Sequence, residues 1–130
     1  MLVIAIAAVV AVVVLMFVNG RSHEIHGALD VGTIEQDGGC RLAPMYQGIA
    51  DGTQVTITDA HGAVVARSRL GHGTTIGPWC EFLFTARVPD RTLYRIAVDH
   101  RGAVTYSKAY LGFYRWHVGL ALTGRRLSWI

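Results

Sequence analysis

The sequence predicts an all-β domain, an immunoglobulin-like or fibronectin-like antiparallel sandwich of about seven strands, behind a single N-terminal transmembrane helix. Three observations predict this class. The first eighteen residues carry no charge, the remaining chain alternates apolar and polar residues in short runs, and Gly, Asp and Pro separate the runs. The expected organisation is a transmembrane helix over 1–19, a juxtamembrane linker over 20–27 and a β-sandwich over 28–130.

The opening apolar run predicts a retained anchor. At 1.5 Å per residue, eighteen residues span roughly 27 Å, close to the bilayer core of about 30 Å. A cleaved export signal, the alternative, needs a basic residue before the run and small residues at its end. No Lys or Arg precedes this run, and Phe17 and Val18 close it. Asn19 and Gly20 then favour the end of a helix.

Seven later runs show the alternation that is typical of half-buried strands. They are residues 28–34, 53–59, 63–70, 79–87, 92–99, 103–110 and 116–123. The clearest contains Val55 and Ile57 between threonines, which favour strands. A small closed barrel is the alternative that fits the same runs.

The period of each run predicts which side chains face the core. Residues expected inside are Leu29, Val31, Val55, Ile57, Val64, Ala66, Leu70, Cys80, Phe82, Phe84, Ala86, Tyr94, Ile96, Val98, Val104, Tyr106, Trp116, Val118, Leu120 and Leu122. No part of the chain after Gly20 keeps a 3.6-residue apolar period, so we expect no second long helix.

The chain has two cysteines, and neither belongs to a Cys-x-x-Cys motif. Cys40 follows a turn-forming Asp-Gly-Gly, and Cys80 begins an inward-facing run, so we expect a Cys40–Cys80 disulfide. The alternative is two separate buried thiols. A disulfide persists in an oxidising compartment and places the domain on the extracytoplasmic side of the cytoplasmic membrane. Arg21, just after the apolar run, favours the opposite orientation.

The charge pattern excludes a nucleic-acid partner. Twelve basic residues against nine acidic ones give a net charge of +3, and they are scattered along the chain instead of forming a basic face. The partners expected are the lipid bilayer, through residues 1–19, and another membrane or envelope protein.

The sequence predicts no catalytic residues, no metal and no cofactor. His23 and His26 have metal-ligand spacing only in a helix, and the Gly-rich segment before Trp79 lacks the Lys of a phosphate-binding loop. The alternative is an envelope hydrolase or glycan-acting enzyme that uses loop carboxylates with His72 or His100.

Aromatic and arginine side chains near predicted strand ends form the candidate contact residues. They are Trp79, Arg101, Tyr110, Phe113, Tyr114, Arg115, Arg125, Arg126 and Trp129. Such a patch suits a protein partner, a glycan or lipid headgroups, and the alternative is that these rings only close the ends of the sandwich.

Between residues 40 and 107 the chain contains C-x5-Y-x2-I-x2-G-x2-V-x-I-x-D-x2-G-x-V-V-A, then C-x-F-x-F, V-P and H-R-G-x-V-T-Y-S. This pattern resembles small, exported or membrane-anchored cell-envelope proteins of actinobacteria and their prophages, a group of unknown function. The resemblance implies an extracytoplasmic disulfide-bonded β domain and carries over no catalytic residue. The function expected is a non-enzymatic accessory subunit or envelope interaction module, with prophage-encoded superinfection exclusion as another alternative.

Overall fold

A computed structural model describes residues 21–33, 40–123 and 126–130 as a sandwich of two β-sheets with one short α-helix. In chain order the elements are β1 (Ser22–Gly32), a 3-10 turn (Pro44–Tyr46), β2 (Gln54–Thr58), β3 (Val64–Arg69), β4 (Thr74–Ile76), β5 (Trp79–Pro89), β6 (Leu93–Val98), β7 (Ala103–Ser107), α1 (Lys108–Phe113), β8 (His117–Thr123) and β9 (Arg126–Trp129). The predicted all-β class is confirmed.

The strands form a five-stranded and a four-stranded sheet. The first has the order β4-β5-β1-β8-β9 and the second β3-β2-β6-β7. All neighbours are antiparallel except β1 and β8, which run parallel. The chain therefore crosses between the sheets several times, and β8 returns beside the first strand.

The core lies between the two sheets and follows the predicted alternation. Ile25, Leu29 and Val31 of β1 are fully buried, and they face Tyr94, Ile96 and Val98 of β6, which are also fully buried. The inward face predicted for the run that became β5 is confirmed, since Cys80, Phe82, Phe84 and Ala86 are all buried.

Gly27 lies in the middle of β1 because an aromatic ring occupies the space of a side chain. Phe84 is its direct partner on β5. A Cβ atom built on Gly27 would lie 2.1 Å from Cζ of Phe84, a distance that real atoms do not reach. The ring thus covers the glycine and fixes the register of the longest strand pair.

The linker expected over 20–27 and the domain start expected at residue 28 need correction. The strand begins at Ser22, and Ser22–Gly32 pairs with β5 along its whole length. Buried Ile25 alternates with exposed Glu24 and His26, in the same period as the rest of β1. The polar residues indicated a linker, but they form the solvent-facing side of the strand.

Three further elements were not predicted. The described ranges hold nine strands instead of seven, because β4 and β9 are short pairing partners at the sheet edges. α1 follows β7 where the sequence indicated continued strand.

The prediction that Val64 faces the core is wrong. Val64 is 45% exposed, since a register shift at Ile57/Thr58 turns it outward and brings Val65 toward the core.

No helix in the part of the chain that the structure describes combines the length and the apolar character needed to cross a membrane. The transmembrane helix expected over residues 1–19 lies outside the described residues.

Candidate binding site at the β7–β9 edge

The predicted Cys40–Cys80 disulfide is present, with 5.3 Å between the two Cα atoms. It ties the segment before the 3-10 turn to the start of β5. Gly73 packs directly on the sulfur atoms, since a Cβ at this position would lie 2.7 Å from Cys80 Sγ and 2.9 Å from Cys40 Sγ. The disulfide therefore belongs to the packed part of the sandwich.

Helix α1 sits at the opposite edge, where the last strand of each sheet ends. Ser107 caps it by accepting a hydrogen bond from the Tyr110 backbone N–H at 3.1 Å. Leu111 is fully buried and anchors the helix to the core. Lys108 Nζ lies 2.8 Å from Asp90 Oδ1 and ties the helix start to the loop before β6.

Asp90 also accepts a hydrogen bond from His23 of β1, at 3.0 Å. The hydrogen bond from Lys108, and then that from His23, lower the pKa of the Asp90 carboxyl below its usual range, against an opposing effect of desolvation. The His23 ring stacks on Trp116 with centroids 3.9 Å apart. The contacts of Asp90 with Lys108 and His23 thus join the loop before β6 to α1 and to the beginning of β1.

The chain leaves α1 through a strained turn. Arg115 and Trp116 have φ angles of 54° and 64°, in the left-handed region that L residues rarely adopt. The Trp116 N–H donates to the Leu111 carbonyl at 2.7 Å, and its ring lies edge-on to Tyr94. Packing of the indole between His23 and Tyr94 holds this conformation and directs the chain into β8.

Four rings collect at this edge, and we call them the aromatic edge cluster. Its members are Tyr110, Phe113, Tyr114 and Trp129. Tyr110 is central, with its ring centroid 4.6 Å from that of Tyr114 and 6.1 Å from that of Trp129. The ring centroids of Phe113 and Tyr114 are 5.1 Å apart. Ile130 lies outside the cluster, because its side chain packs over Gly119 on the outward face of β8.

The aromatic edge cluster is open to solvent. Phe113 is 80% exposed, Trp129 63% and Tyr114 49%. Beside it lies a groove of about 200 Å³ whose walls include Tyr106, Tyr110 and Trp129. Burial, and to a smaller degree Tyr110, raises the pKa of Tyr106 to about 12, so its hydroxyl stays protonated and donates to the Gly119 carbonyl.

The structure brings together four of the nine predicted contact residues, namely Tyr110, Phe113, Tyr114 and Trp129. Trp79 lies elsewhere, beside Ile76 at the hairpin of β4 and β5. Arg115 is exposed in the turn after α1, and Arg125 lies outside the described residues. Arg101 and Arg126 line a separate groove near the turn between β6 and β7.

The residues of the hydrolase alternative are not brought together. His72 shares a cavity of about 370 Å³ with Asp51, whereas His100 lines a different groove.

Asp30 and Glu81 are direct partners on the outer face of the five-stranded sheet. Burial raises the pKa of Asp30 above its usual range, and the hydrogen bond with Glu81 opposes that effect.

His26 and His117 stack on neighbouring strands with ring centroids 5.0 Å apart. Within residues 21–33, 40–123 and 126–130, no group of three or more His, Cys, Asp or Glu side chains is placed to hold a metal ion.

Sequence reasoning did not place Tyr106 in the groove beside the aromatic edge cluster, nor Arg95 in the groove with Arg101 and Arg126, and it named His100 only for the hydrolase alternative. Tyr106 was expected only in the core. Arg95 faces outward because Tyr94 and Ile96 face inward, which the alternation indicates, but its proximity to Arg126 depends on contacts between distant strands.

Comparisons with known protein families, curated proteins and solved structures found no match for this chain.

Proposed function

We propose that this chain is a membrane-anchored accessory subunit or interaction module of the cell envelope, whose extracytoplasmic β domain binds another envelope protein through the aromatic edge cluster. One observation carries the proposal: Phe113, Tyr114 and Trp129 are exposed, and contacts through Tyr110 join their rings into one apolar surface. Contiguous apolar surfaces of this kind mark contact sites, whereas apolar side chains that are exposed singly do not.

The chemistry of the cluster suits a protein partner. Aromatic side chains dominate the energetics of protein interfaces, because they bury a large area at a low cost in side-chain entropy. Phe113 projects furthest, and Tyr110 supports its neighbours from a half-buried position. We expect Phe113 and Trp129 to enter apolar depressions of the partner, with the tyrosine hydroxyls at the wet rim.

The disulfide supports the proposed extracytoplasmic compartment. Glutathione and thioredoxin keep cytoplasmic thiols reduced, so a structural Cys40–Cys80 bond favours the extracytoplasmic side. Residues 1–19 would then tether the domain to the membrane and confine its partners to the envelope.

We further propose an immunoglobulin-like strand arrangement. β4-β5-β1 and β3-β2-β6-β7 correspond in order to strands D-E-B and C′-C-F-G of that fold, with β8 and β9 in the place of strand A. Tyr94, at the start of β6, supports this assignment. Its hydroxyl donates to the Pro89 carbonyl at 2.6 Å and accepts from the Arg91 N–H, which is the geometry of a tyrosine corner.

Site-specific photocrosslinking in intact cells tests the contact surface. A photoreactive phenylalanine analogue replaces Phe113 in one version of the full chain and Leu83 in another. Both positions are exposed and apolar, at 80% and 58%, but Leu83 lies on β5, away from the cluster. We expect a discrete crosslinked protein from position 113 that is absent from position 83.

A second change makes the result specific. Adding Trp129→Ala to the chain with the probe at position 113 should reduce the crosslink severalfold, because the neighbouring apolar contact is lost. Equal crosslinking from both positions, or none from position 113, would contradict the proposal.

A further inference from the structure

A second surface lies at the turn between β6 and β7, where Asp99–Gly102 meets β9. It is a groove of about 540 Å³. Its lining contains three arginines and one histidine together with small and apolar residues: Arg95, His100, Arg101, Arg126, Gly102, Ala103 and Leu127.

The backbone explains why these side chains meet. Arg95 points outward from β6, because Tyr94 and Ile96 on either side of it are fully buried. The Leu127 N–H donates to the Arg101 carbonyl at 2.9 Å, which holds β9 against the turn and brings Arg126 to the groove. Gly102, whose φ of 95° favours glycine, forms the turn that lines the groove.

The positive charge of the groove is largely uncompensated. Within the described ranges, no acidic side chain forms an ion pair with Arg95 or Arg126, and both are exposed. Arg101 is oriented toward the 3-10 turn, since its Nη1 donates to the Met45 carbonyl. Asp99 is the acidic group at the turn: its Oδ1 lies 3.8 Å from His100 Nε2, and its Oδ2 and Arg101 Nη2 both lie beside Gly48. The uncompensated charge is therefore that of Arg95 and Arg126.

We propose that this groove is an anion site that binds a phosphate group, either an inorganic phosphate or the phosphate of an ester. Arginine guanidinium groups bind phosphate oxygens through paired, charge-assisted hydrogen bonds. Arg95 and Arg126 line the groove from the two different sheets, so their guanidinium groups can engage different oxygens of one tetrahedral anion. Arg101 keeps its hydrogen bond to the Met45 carbonyl and adds positive charge at the turn.

The anion site is independent of the protein contact proposed above. The groove shares no lining residue with the groove beside the aromatic edge cluster, although both lie along β7 and β9. Loss of either function should leave the other intact.

Nuclear magnetic resonance titration of the isotopically labelled full chain with inorganic phosphate, in an uncharged detergent, tests the proposal. We expect saturable shifts at the amides of Gly102, Ala103 and Leu127. The double substitution R95Q and R126Q should weaken binding about tenfold or more, since it removes two charge-assisted contacts. R67Q is the matched control, because Arg67 is exposed on β3 outside the groove, and it should change the affinity less than about twofold.

Non-saturating shifts in the unsubstituted chain, or equal weakening by R67Q, would overturn the anion site. If the double variant does not fold, the shifts of the unsubstituted chain decide: confinement to the groove supports the site, and a dispersed pattern overturns it.

Two further arms identify the source of the phosphate. The chain is placed in nanodiscs of phosphatidylcholine, with or without phosphatidylglycerol. If lipid headgroups occupy the groove, the anionic nanodiscs alone shift the same amides and weaken the response to added phosphate. If the ligand is a soluble ester, glycerol phosphate shifts those amides equally in both nanodiscs. Either result supports the site. The absence of any shift at these amides in both arms would contradict it.

Discussion

The two edges of the sandwich are built in different ways. At the β3–β5 edge, the Ser68 hydroxyl donates to the Thr85 carbonyl and the Gly71 N–H to the Leu83 carbonyl at 2.7 Å. The Cys40–Cys80 disulfide lies near this edge, under Gly73. At the β7–β9 edge, a backbone hydrogen bond from Leu127 to Arg101 joins the strand to the turn, and exposed rings and arginines occupy the remaining surface.

The difference between the edges suggests that the first contributes to stability and the second to the proposed binding. A small β domain must protect its sheet edges from pairing with other chains, and covalent and backbone bonds do so at the first edge. The second edge is covered by short α1 and by side chains that remain solvated. Substitutions at the first edge should therefore change the free energy of unfolding, and those at the second should change binding.

The largest expected effect is loss of the disulfide. C40A combined with C80A should lower the free energy of unfolding by about 4 kcal/mol, because the bond closes a loop of about 40 residues in the unfolded chain. Denaturant unfolding of the full chain measures this value. A loss similar to that of substitutions at the β7–β9 edge would remove the distinction between the edges.

Gly73→Ala should have the next largest effect. The added methyl group would lie within 3 Å of both sulfur atoms and of the Phe82 ring, so the disulfide or the ring must move. We expect a loss of about 1–3 kcal/mol in stability. Gly32→Ala is the matched control, since a Cβ there meets no atom within 4 Å, and its melting temperature should stay near that of the parent. Equal melting temperatures for the two variants would show that the packing around the disulfide is loose.

Asp90 gives a smaller effect that depends on pH. Its pKa is lower in the folded chain than in the unfolded chain, so ionised Asp90 stabilises the fold above the unfolded pKa. This stabilisation disappears as the pH falls from about 4 through the folded pKa. Asp90→Asn should flatten the decrease in melting temperature over that acid range. An unchanged acid profile would mean that the contacts with Lys108 and His23 do not stabilise α1.

The smallest expected change in stability comes from the aromatic edge cluster. Phe113→Ala should alter the free energy of unfolding by less than about 0.5 kcal/mol, because most of this ring is already exposed to water. Denaturant unfolding measures the stability of the variant, and photocrosslinking from a probe at Tyr114 measures its contact with the partner, which should decrease. A loss of several kcal/mol would show that Phe113 supports the fold, and undiminished crosslinking would show that it does not belong to the contact surface.

The parts of the fold that depend on local periodicity could be predicted, and those that depend on distant pairing could not. The inward faces of β5 and β6 follow from alternation within each strand. β4 has three residues and exists because Thr74–Ile76 pairs with β5. Composition likewise indicated Tyr110, Phe113 and Trp129 as candidate contact residues. The contact between the Tyr110 and Trp129 rings, however, depends on the pairing of β9 with β8, which composition does not predict.

Compositional reasoning also grouped residues that the fold separates. Trp79 shares its residue type with Trp129, yet β5 places it beside Ile76 at another part of the sheet. Arg101 and Arg126 were expected among the aromatic rings, but the backbone contact between Leu127 and Arg101 places them in the basic groove.

The oxidation state of Cys40 and Cys80 in growing cells tests the central claim, an extracytoplasmic domain that is closed by a disulfide at one edge and free to bind at the other. Cells are quenched in acid and denatured, free thiols are blocked, and disulfides are then reduced and labelled with a maleimide of high mass. We expect both cysteines to take the second label, since the bond persists only outside the reducing cytoplasm. Blocking of both cysteines in the first step would show free thiols and contradict the account.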